Sequence, residues 1–158
     1  MVFRLVIETI DTPVTGGTRW LGGWRLRKAG ALAGENQSDP FDAHPGHHDK
    51  GLYPTILDAL AVVPQGSDLR IISRMSFLVA ELNRSPSERA ANGYLRANRK
   101  PLSETALLRQ LDEIFVTKAI RVSASSPETD IDRQDATDLR VRLSLLKEDV
   151  GKERGWQF

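Results

Sequence analysis

Apolar and polar positions alternate with a period of two over residues 2–10, VFRLVIETI, where Phe3, Leu5 and Ile7 fall on one face. That pattern and its β-branched and aromatic content predict a strand, and DTPVTGGT supplies the turn residues that end it. Alternation returns in RWLGGWRLRK, residues 19–28, and AGALAGE predicts a third strand after a tight turn. Residues 36–50, NQSDPFDAHPGHHDK, carry little apolar content and read as an exposed loop. The period then lengthens. Leu52, Ile56, Leu60 and Val63 recur at helical spacing over residues 52–63, with Pro54 tolerated in the first turn. PQGSD breaks that helix, LRIIS at 69–73 predicts a short buried strand, and Ser73 is placed to cap a helix bearing Met75, Leu78, Val79 and Leu82.

A polar connector, NRSPSERAANG, leads to NGYLRANRKPLSETALLRQLDEIF, residues 92–115, in which Pro101 and Ser103 start a helix that buries Leu107, Leu108, Leu111, Ile114 and Phe115. KAIRVSA at 118–124 predicts a strand, SSPETD a loop, and residues 131–147 a closing helix through Ala136, Leu139, Leu143 and Leu146. A loosely held tail is expected over 148–158, leaving 1–147 as a single domain. Three strands followed by alternating helices and strands predict an α/β fold: a mixed five-stranded sheet, three strands antiparallel and two joined by helical crossovers, with helices on both faces.

Length and composition agree with one domain. The 158 residues are 40% hydrophobic and 27% charged, the range of globular proteins, and the first ten residues are too short and too charged for a signal peptide or a membrane span. A cytoplasmic protein with no membrane partner is expected. The absence of cysteine excludes disulfides, thiolate nucleophiles and sulfur-ligated metals.

Net charge is only +1, but it is unevenly distributed. Residues 70–100 hold seven cations against two acids, and residues 101–138 hold four cations against eight acids. A basic block attracts polyanions and an acidic block can hold a divalent cation, although solvated helix faces give the same pattern. Trp20 and Trp24, four apart on a strand, share a face and are expected to pack in the core or at an edge. The three histidines, His44, His47 and His48, stand beside Asp49. These are zinc-ligand types, but Pro45 and Gly46 place them in what reads as a polar surface loop.

The element order, with LYPTILDAL and above all RANRKPLSETALLRQLDEIF, resembles the bacterial type-I ribonuclease H family over roughly residues 2–145. The resemblance implies that family's fold and a relation to enzymes that cut the RNA strand of RNA/DNA hybrids with two divalent ions, Mg²⁺ or Mn²⁺, held by four acids. Carried over position by position, it implies metal-binding and catalytic roles for Glu8 on the first strand, with Asp11 an alternative, for Asp49 ahead of the first helix, and for Asp135 in the last helix, with Asp132 and Asp138 as neighbours. It also implies a basic, aromatic-bearing handle, so that Tyr94, Arg96, Arg99 and Lys100, together with Arg74, become candidate contacts to nucleic acid.

One position departs from the family's pattern. Where the fourth-strand acid belongs, this chain has Met75, preceded by Arg74. Two divalent ions about 4 Å apart need clustered hard anions around them. A thioether is soft and neutral, and a guanidinium facing the same cleft would repel the ions. Asp68 stands about 20 Å back along the strand, at roughly 3.3 Å per residue, and is a poor substitute. The family's histidine in the loop before the last helix is also missing from SASSPETD.

The expectation is therefore a divergent ribonuclease H-like protein that recognises an RNA/DNA hybrid or another duplex, with hydrolysis lost or weak. An active metal-dependent endonuclease rebuilt around Glu8, Asp49, Asp135 and Asp132, and an inert protein-interaction scaffold, are the alternatives.

Overall fold

The computed structural model describes residues 2–14, 17–37, 41–42, 51–95 and 104–154. Strand β1 (Val2–Val14) pairs antiparallel with β2 (Gly17–Lys28), which pairs antiparallel with β3 (Ala31–Gln37) and with the two-residue β4 (Phe41–Asp42). Helix α1 (Leu52–Leu60) crosses over to β5 (Asp68–Ile72), parallel to β1. Helices α2 (Ser76–Leu82), α3 (Pro86–Ala91) and α4 (Thr105–Thr117) lead to β6 (Arg121–Ser125), parallel to β5, and α5 (Asp130–Arg154) closes the chain. The strand order is β3-β2-β1-β5-β6, with β4 alongside β2. This is the expected mixed sheet with helices on both faces, and among the described residues β4 is its one addition, inside the segment expected to be a loop.

Alternation along the strands sorts side chains into two layers. Phe3, Leu5 and Ile7 of β1 join Trp24, Leu26, Leu69, Ile71 and Ala124 beneath α1 and α4 in the main core. Each such aliphatic burial contributes roughly 1.5–3 kcal/mol. Val6 and Ile72, on the opposite face, pack with Ala136 and Leu139 of α5. Gly23 lets α5 approach: a β-carbon built there would lie 3.3 Å from Leu139 Cδ2 and 3.5 Å from Leu143 Cδ2.

Local chemistry moves several boundaries. Pro54 does lie in the first turn of α1, which starts after Gly51 at φ 76°. Ser73 does not cap α2. Its Oγ accepts a hydrogen bond from the Met75 N–H at 3.1 Å, and the helix begins only at Ser76. The polar connector hides α3, started by Pro86 at its first position and by Ser85 Oγ, which accepts from the Glu88 N–H at 3.1 Å. Helix α5 continues to Arg154 rather than stopping at 147, since KEDVGKER is mostly good helix former.

Candidate functional site

In open α/β sheets, ligands bind outside the carboxyl ends of the parallel strands. Here that edge is formed by β1, β5 and β6. The parallel register sets Val6 beside Ile72. Two residues further on, at the same level and on the same face, β1 offers Glu8 and the chain leaving β5 offers Arg74. The Arg74 guanidinium donates from Nε to Glu8 Oε1 at 2.7 Å and from Nη2 to Oε2 at 2.9 Å. Such a bidentate, charge-assisted pair is among the strongest polar contacts a carboxylate can make. The hydrogen bond to Glu8 raises the Arg74 pKa further, and Glu8 itself is buried, at 4% exposure.

Asp135 meets the same fate. Arg25 Nη1 donates to its Oδ1 at 2.8 Å, and Arg27 donates from Nε to Oδ2 at 2.6 Å and from Nη2 to Oδ1 at 2.9 Å. Burial pushes the Asp135 carboxyl up, but the hydrogen bonds from Arg27 and Arg25, with their charges, outweigh it and hold the group below the usual carboxylate range. Asp132 follows the same pattern: burial is opposed by Arg4 and by the hydrogen bonds of Thr129, and the net shift is downward. Asp138 accepts from Arg25 at 3.3 Å, and Glu35 on β3 takes Arg25 and Arg142 at 3.0 and 2.9 Å. An ionic seam thus fastens the acidic face of α5 to the arginines of β1 and β2.

The seam separates the expected metal ligands. Glu8 lies opposite Gly23 on β2, whereas the arginines that hold Asp135 lie opposite Val6 and Arg4, about 7–13 Å further back at roughly 3.3 Å per residue. Met75 turns away from Glu8 and packs against the main core. Asp132, the suggested replacement ligand, is held by Arg4. Asp11 is exposed near the end of β1. Asp68 is bound to Arg121 at the far edge. Asp49 lies outside the described residues, as do His44, His47 and His48. Among the described residues, no group of three or more His, Cys, Asp or Glu side chains could hold a metal ion. A pair of divalent ions needs several uncommitted hard anions. The described residues do not fit that requirement, because the two candidate carboxylates already neutralise guanidinium groups.

The basic segment divides as well. Arg89, counted in the sequence among the seven cations of residues 70–100, is 1% exposed and sits between α3 and α4. It donates to Asp112 Oδ2 at 2.8 Å and Oδ1 at 2.5 Å and to the Glu81 and Arg84 carbonyls at 2.7 and 2.9 Å. Tyr94, in a left-handed conformation at φ 58°, donates its hydroxyl to Asp112 Oδ2 at 2.9 Å, and the Arg109 guanidinium stacks 4.6 Å from its ring centre. The expected contact role of Tyr94 therefore competes with an internal one. Arg96, Arg99 and Lys100 lie outside the described residues.

The sequence reading missed Arg4, Arg25 and Arg27 as partners of the acidic helix. Their signal was present. All three occupy the strand face opposite Phe3, Leu5, Trp24 and Leu26, so they had to be covered by a helix, and a helix bearing Asp132, Asp135 and Asp138 was the complementary cover.

No family model matches the sequence, and no curated protein matches it as a relative. Solved structures do share its architecture. The ribonuclease H domain of prototype foamy virus aligns over 94% of each chain at 15% identity with a TM-score of 0.63. The foamy viral protease-reverse transcriptase in complex with double-stranded DNA aligns over 87% of each chain at 15% identity and 0.61. LC11-RNase H1 in complex with an RNA/DNA hybrid aligns over 87% of this chain and 92% of its own at 10% identity and 0.54. At these identities the likeness establishes the fold, which is ribonuclease H-like.

Proposed function

We propose that this chain is a divergent ribonuclease H-like nucleic-acid-binding protein that holds an RNA/DNA hybrid or another duplex and does not cut it. The observation that carries the reading is the lock of Arg74 on Glu8. On the strand where the resemblance expects an acid beside the metal pair, the chain supplies a cation, and that cation consumes the carboxylate of the neighbouring strand. Two similar structures are complexes with double-stranded DNA and with an RNA/DNA hybrid, which supports a duplex as the partner. Phosphodiester hydrolysis by the two-ion route needs a water activated on one side of the phosphorus and charge stabilisation on the other. With Glu8 and Asp135 committed to arginines, the described residues offer positive charge to a phosphate and no uncommitted cluster of hard anions to a metal. Backbone binding by cations then proceeds without hydrolysis.

A labelled RNA/DNA hybrid titrated with the protein tests this reading. Binding should persist in EDTA and weaken steeply with salt, with a log–log slope of about −0.9 per phosphate neutralised. The hybrid should remain intact with Mg²⁺ or Mn²⁺. Metal-dependent cleavage would establish the endonuclease alternative, and absence of any nucleic-acid binding would leave the scaffold.

A further inference from the structure

The edge that holds Glu8 contains a cation with no acidic partner among the described residues. Asp132 of α5 meets Arg4, Ala136 and Leu139 pack with Val6 and Ile72, and Leu139 and Leu143 cover Gly23, the partner of Glu8 on β2. Helix and strand therefore advance together, about one turn of 5.4 Å for two strand residues of roughly 3.3 Å each. One turn beyond Ala136 is Arg140, level with Glu8. Asp135, Asp138 and Arg142 mark the flank of α5 that faces β2 and β3. At 100° per residue, Arg140 falls on the other flank, toward β5 and Arg74.

The remaining arginines of this layer are matched: Arg4 with Asp132, Arg25 and Arg27 with Asp135, Arg70 with Glu128 at 3.9 Å, Arg74 with Glu8 and Arg142 with Glu35. Arg140 has no such match among the described residues, and its Nε is buried without a hydrogen-bond partner. Ser125 Oγ, at the end of β6, is buried and unpartnered too. Ser125 is level with Ile72, and because Ala124 points into the main core, Ser125 points to the α5 side. An N–H and an O–H left unsatisfied in a buried setting each cost free energy of order 1–3 kcal/mol. Both are donors at the carboxyl edge of the parallel strands, and the Ser73 N–H donates to the Ser125 carbonyl at 3.0 Å, which brings the next residue, Arg74, with its charge already balanced by Glu8, to the same edge. The group that satisfies two donors and one uncompensated positive charge is an anion.

We propose that Arg140, Ser125 and Arg74 form an anion site that takes a phosphate oxygen directly, with guanidinium in the place where the related fold would use metal. The phosphate is that of a nucleic-acid backbone, a source that rests on the function proposed above; the anion chemistry itself does not.

Two probes separate these parts. Inorganic phosphate titrated into the isotope-labelled protein should give saturable amide shifts around Ser125 and Arg140, absent in Arg140→Gln. An RNA/DNA hybrid titrated in EDTA should bind Arg140→Gln about tenfold more weakly than wild type, as loss of a charge-assisted hydrogen bond implies, with Arg140→Lys intermediate. Ser125→Ala, which removes only an unpartnered hydroxyl, should keep the fold and weaken both ligands. Arg140-dependent phosphate shifts without hybrid binding would uphold the anion site and overturn the nucleic-acid source. Hybrid binding equal in wild type, Arg140→Gln and Ser125→Ala, with no phosphate shifts, would overturn the site and leave the nucleic-acid reading standing.

Discussion

Arg74 grips Glu8 through both carboxylate oxygens, at 2.7 and 2.9 Å, across the ends of two neighbouring parallel strands. The carboxylate is almost fully buried while the arginine is 43% exposed, so the contact is partly screened. Arg74→Ala should still destabilise the protein by about 1–3 kcal/mol, because Glu8 is left as a buried charge without its cation. Glu8→Gln in the same chain should recover part of that loss. Urea unfolding of the two single variants and the double variant gives the coupling directly.

Met75 packs against the main core rather than toward Glu8. Met75→Asp therefore introduces the acid that the resemblance expects at this position but not the geometry. Met75 is partly exposed at the N-cap of α2, a position that favours Asp, so the urea midpoint should change little, and a gel assay of a labelled hybrid with Mn²⁺ should show no new cleavage.

Acid should loosen the seam beneath α5. Asp132 and Asp135 titrate below their unfolded value of about 3.9, despite burial, because arginines hold them ionised. A lowered folded-state pKa contributes stability that is complete above the unfolded value and lost as pH falls through the folded one. Stability should thus be insensitive to these groups near neutrality and fall below about pH 4. In Asp135→Asn the neutral-pH stability should be lower and the acid slope shallower. Urea midpoints collected across that range would show it, and an unchanged slope would count against the ionic seam.

Arg89 is the most deeply buried cation of the α3–α4 layer, at 1% exposure. Arg89→Ala strands Asp112 and should cost about 3–5 kcal/mol. Tyr94→Phe removes one hydrogen bond to the same carboxylate and should cost about 1 kcal/mol. Thermal or urea denaturation of the pair ranks them, and equal losses would contradict the assignment of Arg89 as the organising residue.

Alternation in VFRLVIETI and RWLGGWRLRK and helical spacing in LYPTILDAL were enough to read the sheet and its crossovers, because burial of one face dictates those periods. The short β4 and α3 escaped because two residues have no period and PSERAA has no apolar stripe. At the site, Glu8 and Asp135 could be read as carboxylates at the right places in the fold. What they do depends on which cations reach them. Arg25 and Arg74 are remote in sequence from Asp135 and Glu8, and only the strand register and the docking of α5 bring them within 3 Å. The resemblance assigned Asp135 of α5 to a divalent ion, whereas Arg25 and Arg27 of β2, on the face that α5 covers, were the better signal.

At this edge Arg74 and the arginines of β2, rather than metal ions, neutralise Glu8 and Asp135. Mn²⁺ titrated into the protein at low ionic strength, with the free ion counted by electron paramagnetic resonance, measures that most directly. Only weak, non-saturating uptake is expected, unchanged by Glu8→Gln or Asp135→Asn. One or two ions bound per chain in wild type and lost in those variants would contradict it.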